Sequence, residues 1–155
     1  MRIGPTSPAG NVSRPGKTET ALRTATAALC KRLAPVEIPA MTLRRLGGFA
    51  AIMPAEPSAD LAHLAAEAVA ELDAFRATPT EPEIAKRRKA RLSARQTALL
   101  AQWGYPYVMD EFRFHLTLTG GLGADAGGIS DRLSTLFTPV MPTPFRIDSL
   151  CLVGE

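Results

Sequence analysis

Glu111-Phe112-Arg113-Phe114-His115-Leu116-Thr117-Leu118-Thr119-Gly120 carries an apolar residue on every second position from Phe112 to Leu118. That is the period of a β-strand with one buried face. The pattern predicts Phe112, Phe114, Leu116 and Leu118 on the core side. Arg113, His115, Thr117 and Thr119 then form a row on the other side. Same-face neighbours on a strand lie about 6.5 Å apart, so a cation, an imidazole and two hydroxyls line one surface. Such groups suit a phosphate ester: His transfers protons near neutral pH, while Thr and Arg hold phosphoryl oxygens. They equally describe an ordinary strand with a solvated polar face, because H-x-T is a short pattern.

Upstream, Tyr105-Pro106-Tyr107 reads as an extended connector carrying two aromatics. Ser93-Ala94-Arg95-Gln96 is a capping box, and the helix it starts ends at Trp103-Gly104. Thr80-Glu81-Pro82-Glu83 opens a helix that runs into the basic cluster Lys86, Arg87, Arg88, Lys89 and Arg91. Another helix follows Ser58, with Leu61, Leu64, Ala65, Ala68, Leu72 and Phe75 in one stripe. His63 falls nearly opposite that stripe, at i,i+4 from Glu67, and reads as a solvated surface histidine. Gly47-Gly48 marks a hairpin over residues 41–53, its register left open. A first helix is expected from Thr18 or Thr20 to about Leu33.

Downstream, Gly120, Gly121, Gly123, Gly127 and Gly128 read as a flexible turn. It is no phosphate loop, since the Lys-Ser/Thr that completes one is missing. Ser130 or Asp131 is expected to cap a short helix to about Phe137, and residues 145–153 a last strand. Residues 1–17, broken by Gly and Pro, read as a disordered tail before one domain over 18–155. Strands and helices without regular βαβ alternation predict an α+β fold, an antiparallel sheet with helices on one face.

The 155 residues, 46% hydrophobic and 21% charged, suffice for one domain with a core. A net charge of +3 suits anionic ligands without requiring nucleic acid. Cys30 and Cys151 read as reduced, buried thiols, with no disulfide or metal-ligand spacing. No apolar run approaches the ~18 residues of a membrane span, and no signal sequence is visible, so a cytoplasmic location is expected. Nothing calls for a metal or other cofactor.

Gly104-Tyr105-Pro106-Tyr107 with residues 111–120 resembles the C-terminal half of an uncharacterised family linked to phosphonate-utilisation operons, within the two-histidine (2H) phosphoesterase superfamily. Leu43-Arg44-Arg45-Leu46-Gly47-Gly48-Phe49, Phe75-Arg76-Ala77 and residues 92–104 extend the match from about residue 20 onward. The resemblance implies two similar α+β lobes facing a cleft, each giving one H-x-[TS] strand. It makes His115 an acid/base group and Thr117 a phosphate ligand. From their place around the motif, Arg113, Thr119, Tyr105 and Tyr107 are expected as substrate-binding residues. It implies metal-independent hydrolysis of a cyclic phosphate or phosphodiester, on a phosphorylated small molecule or an RNA end.

The first H-x-T that the family places before the helix at 20–33 is absent. The resemblance therefore implies one lobe of a truncated protein, weak or inactive alone, with self-association through the uncovered face as a route to a second His115. The competing expectation is a non-catalytic RNA or anion binder that uses the cluster at 86–91, Arg44 and Arg45, with Tyr105 and Tyr107 as stacking surfaces. That cluster also reads as a solvated helix end, where cations complement the dipole.

Overall fold

The structure, a computed structural model, describes residues 17–77, 79–88, 91–123 and 126–153, with the backbone alone described at 86–88 and 126. Its elements in chain order are α1 (Glu19–Arg32), β1 (Val36–Ile38), β2 (Met41–Leu46), β3 (Phe49–Pro54), α2 (Ala59–Leu72), α3 (Glu81–Arg88), α4 (Ala94–Trp103), β4 (Leu116–Thr117), α5 (Ala126–Phe137) and β5 (Phe145–Ile147). Short 3₁₀ turns occupy Asp73–Phe75, Met109–Glu111 and Thr138–Val140. The class is α+β with antiparallel strands. All but Lys17 of the expected tail lies outside the described residues.

The packing of the described residues divides into two units. One comprises those within 17–34, 62–112 and 149–153, the other those within 35–61 and 113–148.

The first unit is helical, and its ends follow local chemistry. The Thr18 hydroxyl accepts the Ala21 N–H at 3.1 Å and so starts α1. Ser93 and Gln96 form a reciprocal capping box at the head of α4. Gly104 ends α4 at φ +69°, in the left-handed region that favours glycine. A β-carbon there would lie 2.6 Å from Arg76 Nη1. That guanidinium is held by Asp73 at 2.6 Å and by the Gln102 carbonyl at 3.3 Å, so the glycine is required twice over. Leu29, Leu64, Ala65, Ala68, Leu99 and Leu100 are buried, whereas His63 is exposed, as its place opposite the α2 stripe predicts.

The second unit holds the strands. Gly47, at φ +59°, and Gly48 close a two-residue turn that pairs Leu46 with Phe49 and Arg44 with Ala51. This settles the register that the sequence left open. β4 adds to the free side of β3, giving the order β2-β3-β4. β1 and β5 form a separate antiparallel pair, with Glu37 opposite Arg146 and joined to it at 3.0 Å.

Four expectations need correction. The strand expected over 111–120 is a ladder only at Leu116–Thr117. Met109–Glu111 is instead a 3₁₀ turn tied to α4, where Arg95 grips Asp110 and the Gln96 amide donates to Glu111 at 3.0 Å. The last strand stops at Ile147, opposite Val36, the first residue of its partner β1. α5 begins at Ala126, so Gly127 and Gly128 lie in its first turn, where the backbone N–H groups have no intrahelical acceptor to lose. Cys30 and Cys151 are free but exposed: Cys30 follows the buried Leu29 on the outer side of α1, and Cys151 lies beyond the strands.

Candidate active site

The β4 ladder carries the H-x-T motif. Thr117 lies opposite Ala51, and Leu116 opposite Ile52. Directly opposed residues of antiparallel strands share a face, so Arg44, Ala51 and Thr117 form one row across three strands. Leu43, Ile52 and Leu116 form the row on the reverse face. The apolar side of the motif is only partly covered. Phe112, Phe114 and Leu118 are half-buried, and Leu116 is 40% exposed.

The ladder ends through a side-chain substitution. Leu118 N–H donates to the Ala50 carbonyl at 2.9 Å. The return bond, from Ala50 N–H, goes to the Thr119 hydroxyl at 3.0 Å instead of a backbone carbonyl. Thr119 in turn donates its own proton to the Gly120 carbonyl at 2.9 Å. Both the donor and one acceptor position of Thr119 are thus committed within the fold. Thr117 contrasts with it: its side chain is exposed and its hydroxyl has no partner among the described residues.

The His115 imidazole has a defined orientation. Its Nδ1 lies 2.8 Å from the Arg113 carbonyl. A carbonyl only accepts, so Nδ1 carries the proton and a neutral ring keeps its lone pair on Nε2. The ring stands 5.8 Å from the Phe49 ring, centroid to centroid, tilted by 43°. Phe114, the neighbour on the opposite side of the chain, meets Phe145 at 6.1 Å. His115 is exposed, with Nε2 the nitrogen open to a ligand. An imidazole lone pair can accept a proton from a nucleophile, and a hydroxyl can donate to an anionic oxygen.

Arg113 is exposed, and its backbone carbonyl, not its guanidinium, makes the contact that orients His115. Tyr105 and Tyr107 lie in the first unit, edge to face at 5.7 Å, while Arg113, His115, Thr117 and Thr119 lie in the second. The side chains of Lys86, Arg87 and Arg88, and all of Lys89, lie outside the described residues. Two residues of the motif's surroundings carry more than the sequence suggests. Phe49 abuts the imidazole, and Arg44 shares the Thr117 face while its Nη2 donates to the Ala55 carbonyl at 2.9 Å. The Gly47-Gly48 turn contains half of that signal, since it alone fixes Arg44 opposite Ala51. The pairing of β3 with β4 has no local signal. Among the described residues no cluster of His, Cys, Asp or Glu could hold a metal ion.

Residues 12–155 match a family described as "Protein of unknown function (DUF1045)". The chain is 38% identical over 133 residues to a Janthinobacterium sp. (strain Marseille) protein described as ribose 1,5-bisphosphate phosphokinase PhnN. That match covers 83% of this chain and 29% of the relative. A Laribacter hongkongensis protein of the same description is 36% identical over 107 residues, covering 69% of this chain and 24% of the relative. The chain thus spans under a third of the length of these curated relatives. No solved structure matches it.

Proposed function

The chain belongs to the DUF1045 family, and we propose that it contributes one acid/base lobe to a phosphonate-linked hydrolase of cyclic phosphodiesters, in the manner of the 2H phosphoesterases. The observation that carries this reading is the His115 imidazole, protonated at Nδ1 by its bond to the Arg113 carbonyl, two residues from the Thr117 hydroxyl, neither Nε2 nor that hydroxyl having a partner among the described residues.

In this reaction a water oxygen attacks phosphorus and gives its proton to a base. The ring P–O bond breaks, and the leaving oxygen takes a proton from an acid. His115 Nε2 serves one of those two transfers, and Thr117 donates to a non-bridging oxygen. Thr119 holds the strand rather than the phosphate. The second transfer needs another group, since the motif carries a single histidine and no second H-x-[TS] occurs in the sequence. A second copy, or a further part of a longer polypeptide, would supply it.

The relatives' description points to the substrate. A ribose 1,5-bisphosphate phosphokinase consumes a sugar with a phosphate on O1. Opening a cyclic phosphodiester between O1 and the neighbouring hydroxyl of a 5-phosphorylated ribose yields that sugar. The hydrolytic step, not the kinase step, is proposed for this chain. Its single Gly-Lys-Thr, Gly16-Lys17-Thr18, has Asn11 where a phosphate loop needs glycine.

The test is turnover of such a cyclic ribose phosphate, with 2′,3′-cyclic nucleotides beside it. Turnover that His115→Ala abolishes supports the reading. Turnover that survives His115→Ala removes His115 from the chemistry. No turnover by either this chain or a full-length relative removes the activity.

A further inference from the structure

We propose that Phe49 is the positioning residue that holds His115 in its Nδ1–H tautomer. The inference deepens the reading of His115 as an acid/base group, and rests on that reading only for its catalytic consequence.

The bond from His115 Nδ1 to the Arg113 carbonyl spans two residues and is exposed. Alone it is a weak constraint. An exposed hydrogen bond contributes little, because water competes for both partners. The terminal torsion of histidine is also broad, so the ring turns readily. Something must fix the ring plane and shield the bond. Within the second unit Phe49 meets the imidazole, with the ring centroids 5.8 Å apart.

Phe49 is well placed to be rigid. It is the first residue of β3, immediately after the Gly47-Gly48 turn, and pairs with Leu46. The turn is itself held, since Leu122 N–H donates to the Gly48 carbonyl at 2.6 Å. Glycine at 47 and 48 leaves open space around the turn, with no atom within 4 Å of either ideal β-carbon. Backbone pairing with Leu46 fixes where the Phe49 side chain leaves the strand. Ala51, the next residue on the Phe49 face, presents only a methyl group beside Thr117 and so leaves the aromatic ring room to reach the imidazole.

The consequence is chemical. A neutral histidine in water favours the Nε2–H tautomer, which offers a base only at Nδ1. With Nδ1–H held on a carbonyl, the outward Nε2 is the base.

The chain's two histidines make the test internal. His63 is exposed, with no partner among the described residues, and serves as the reference. Two-bond ¹⁵N–¹H spectra of the ¹⁵N-labelled chain, at a pH where both rings are neutral, report each tautomer. His63 is expected in the Nε2–H pattern and His115 in the Nδ1–H pattern. Phe49→Ala is expected to move His115 to the His63 pattern, and Phe49→Tyr to leave it unmoved. Phe49→Met, which keeps bulk at the hairpin but loses the flat face, gives the same shift as Phe49→Ala and replaces it if that variant fails to fold. A wild-type His115 in the His63 pattern overturns the proposal, as does an Nδ1–H pattern that survives loss of the aromatic ring. On the cyclic substrate, loss of the ring is expected to lower kcat about tenfold with KM little changed. Absent turnover together with the expected spectra would remove the hydrolase reading while leaving the tautomer assignment in place.

Discussion

Two threonines of the same motif are predicted to behave oppositely. Thr119→Val removes the acceptor for Ala50 N–H, and Ala50 is wholly buried. A buried donor left unpaired costs about 1–3 kcal/mol, so the denaturation midpoint should fall, and Thr119→Ser should restore it. Thr117→Val removes an exposed hydroxyl with no partner among the described residues, and stability should change by less than about 0.5 kcal/mol. In the turnover assay the order reverses. Thr117→Val should lose activity, and Thr119→Ser should keep it. Spacing puts both hydroxyls on one face and says nothing of which is occupied. Only the break in the ladder at Ala50 separates them.

Among the elements, α4 and its ends give the sharpest expectations. Gly104→Ala combines a left-handed backbone, worth about 1–2 kcal/mol against a β-carbon, with displacement of the Arg76 guanidinium from Asp73. Equilibrium unfolding of Gly104→Ala beside Arg76→Ala should show the two losses to be less than additive. At the next turn, the hydrogen bond from Arg95 holds the Asp110 carboxyl below its usual 3.8 and raises the Arg95 guanidinium. A depressed carboxylate stabilises the fold above the unfolded-state pKa and loses that contribution as the pH falls through the folded-state pKa. Asp110→Asn should therefore flatten the acid limb of stability against pH. Both side chains are more than half exposed, so the effect should shrink with added salt.

The capping box, the Gly104 stop and the Gly47-Gly48 turn were all legible, because each is decided by atoms a few residues apart. The alternation at 112–118 holds at its start, where half-buried Phe112 and Phe114 flank the exposed Arg113, but not at Leu116, which it places in the core and which is 40% exposed. It overstated the strand, since alternation reports a face and not the length of a neighbour to pair with. β1 went unread for the same reason. Val36-Glu37-Ile38 is too short to show a period, and its partner lies beyond α5.

At the scale of the whole molecule, the chain spans under a third of the length of its curated relatives, which bears on how much of a catalyst it represents. One positioned acid/base group is worth about 10²–10⁴ in rate. If the second group lies elsewhere in a longer polypeptide, the chain should turn over more slowly than a full-length relative by that factor. Its specific activity should then be independent of concentration. Activity that climbs with concentration would instead place the second group on another copy, and mixing His115→Ala with wild-type chain would then lower activity per wild-type subunit.

The pairing of β1 with β5 has a consequence for how the chain reaches its structure. Glu37 and Arg146 stand 109 positions apart, and most of the first unit's residues fall between them in sequence. Closing so long a loop is entropically slow to be rewarded, with about 0.6 kcal/mol added for each doubling of length, whereas the β2–β3 hairpin closes through two residues. The hairpin that carries Phe49 should acquire amide protection early in a pulse-labelled refolding experiment, and residues 36–38 and 145–147 late. Weakening that late pair, by Val36→Ala, should leave the refolding rate nearly untouched and accelerate unfolding.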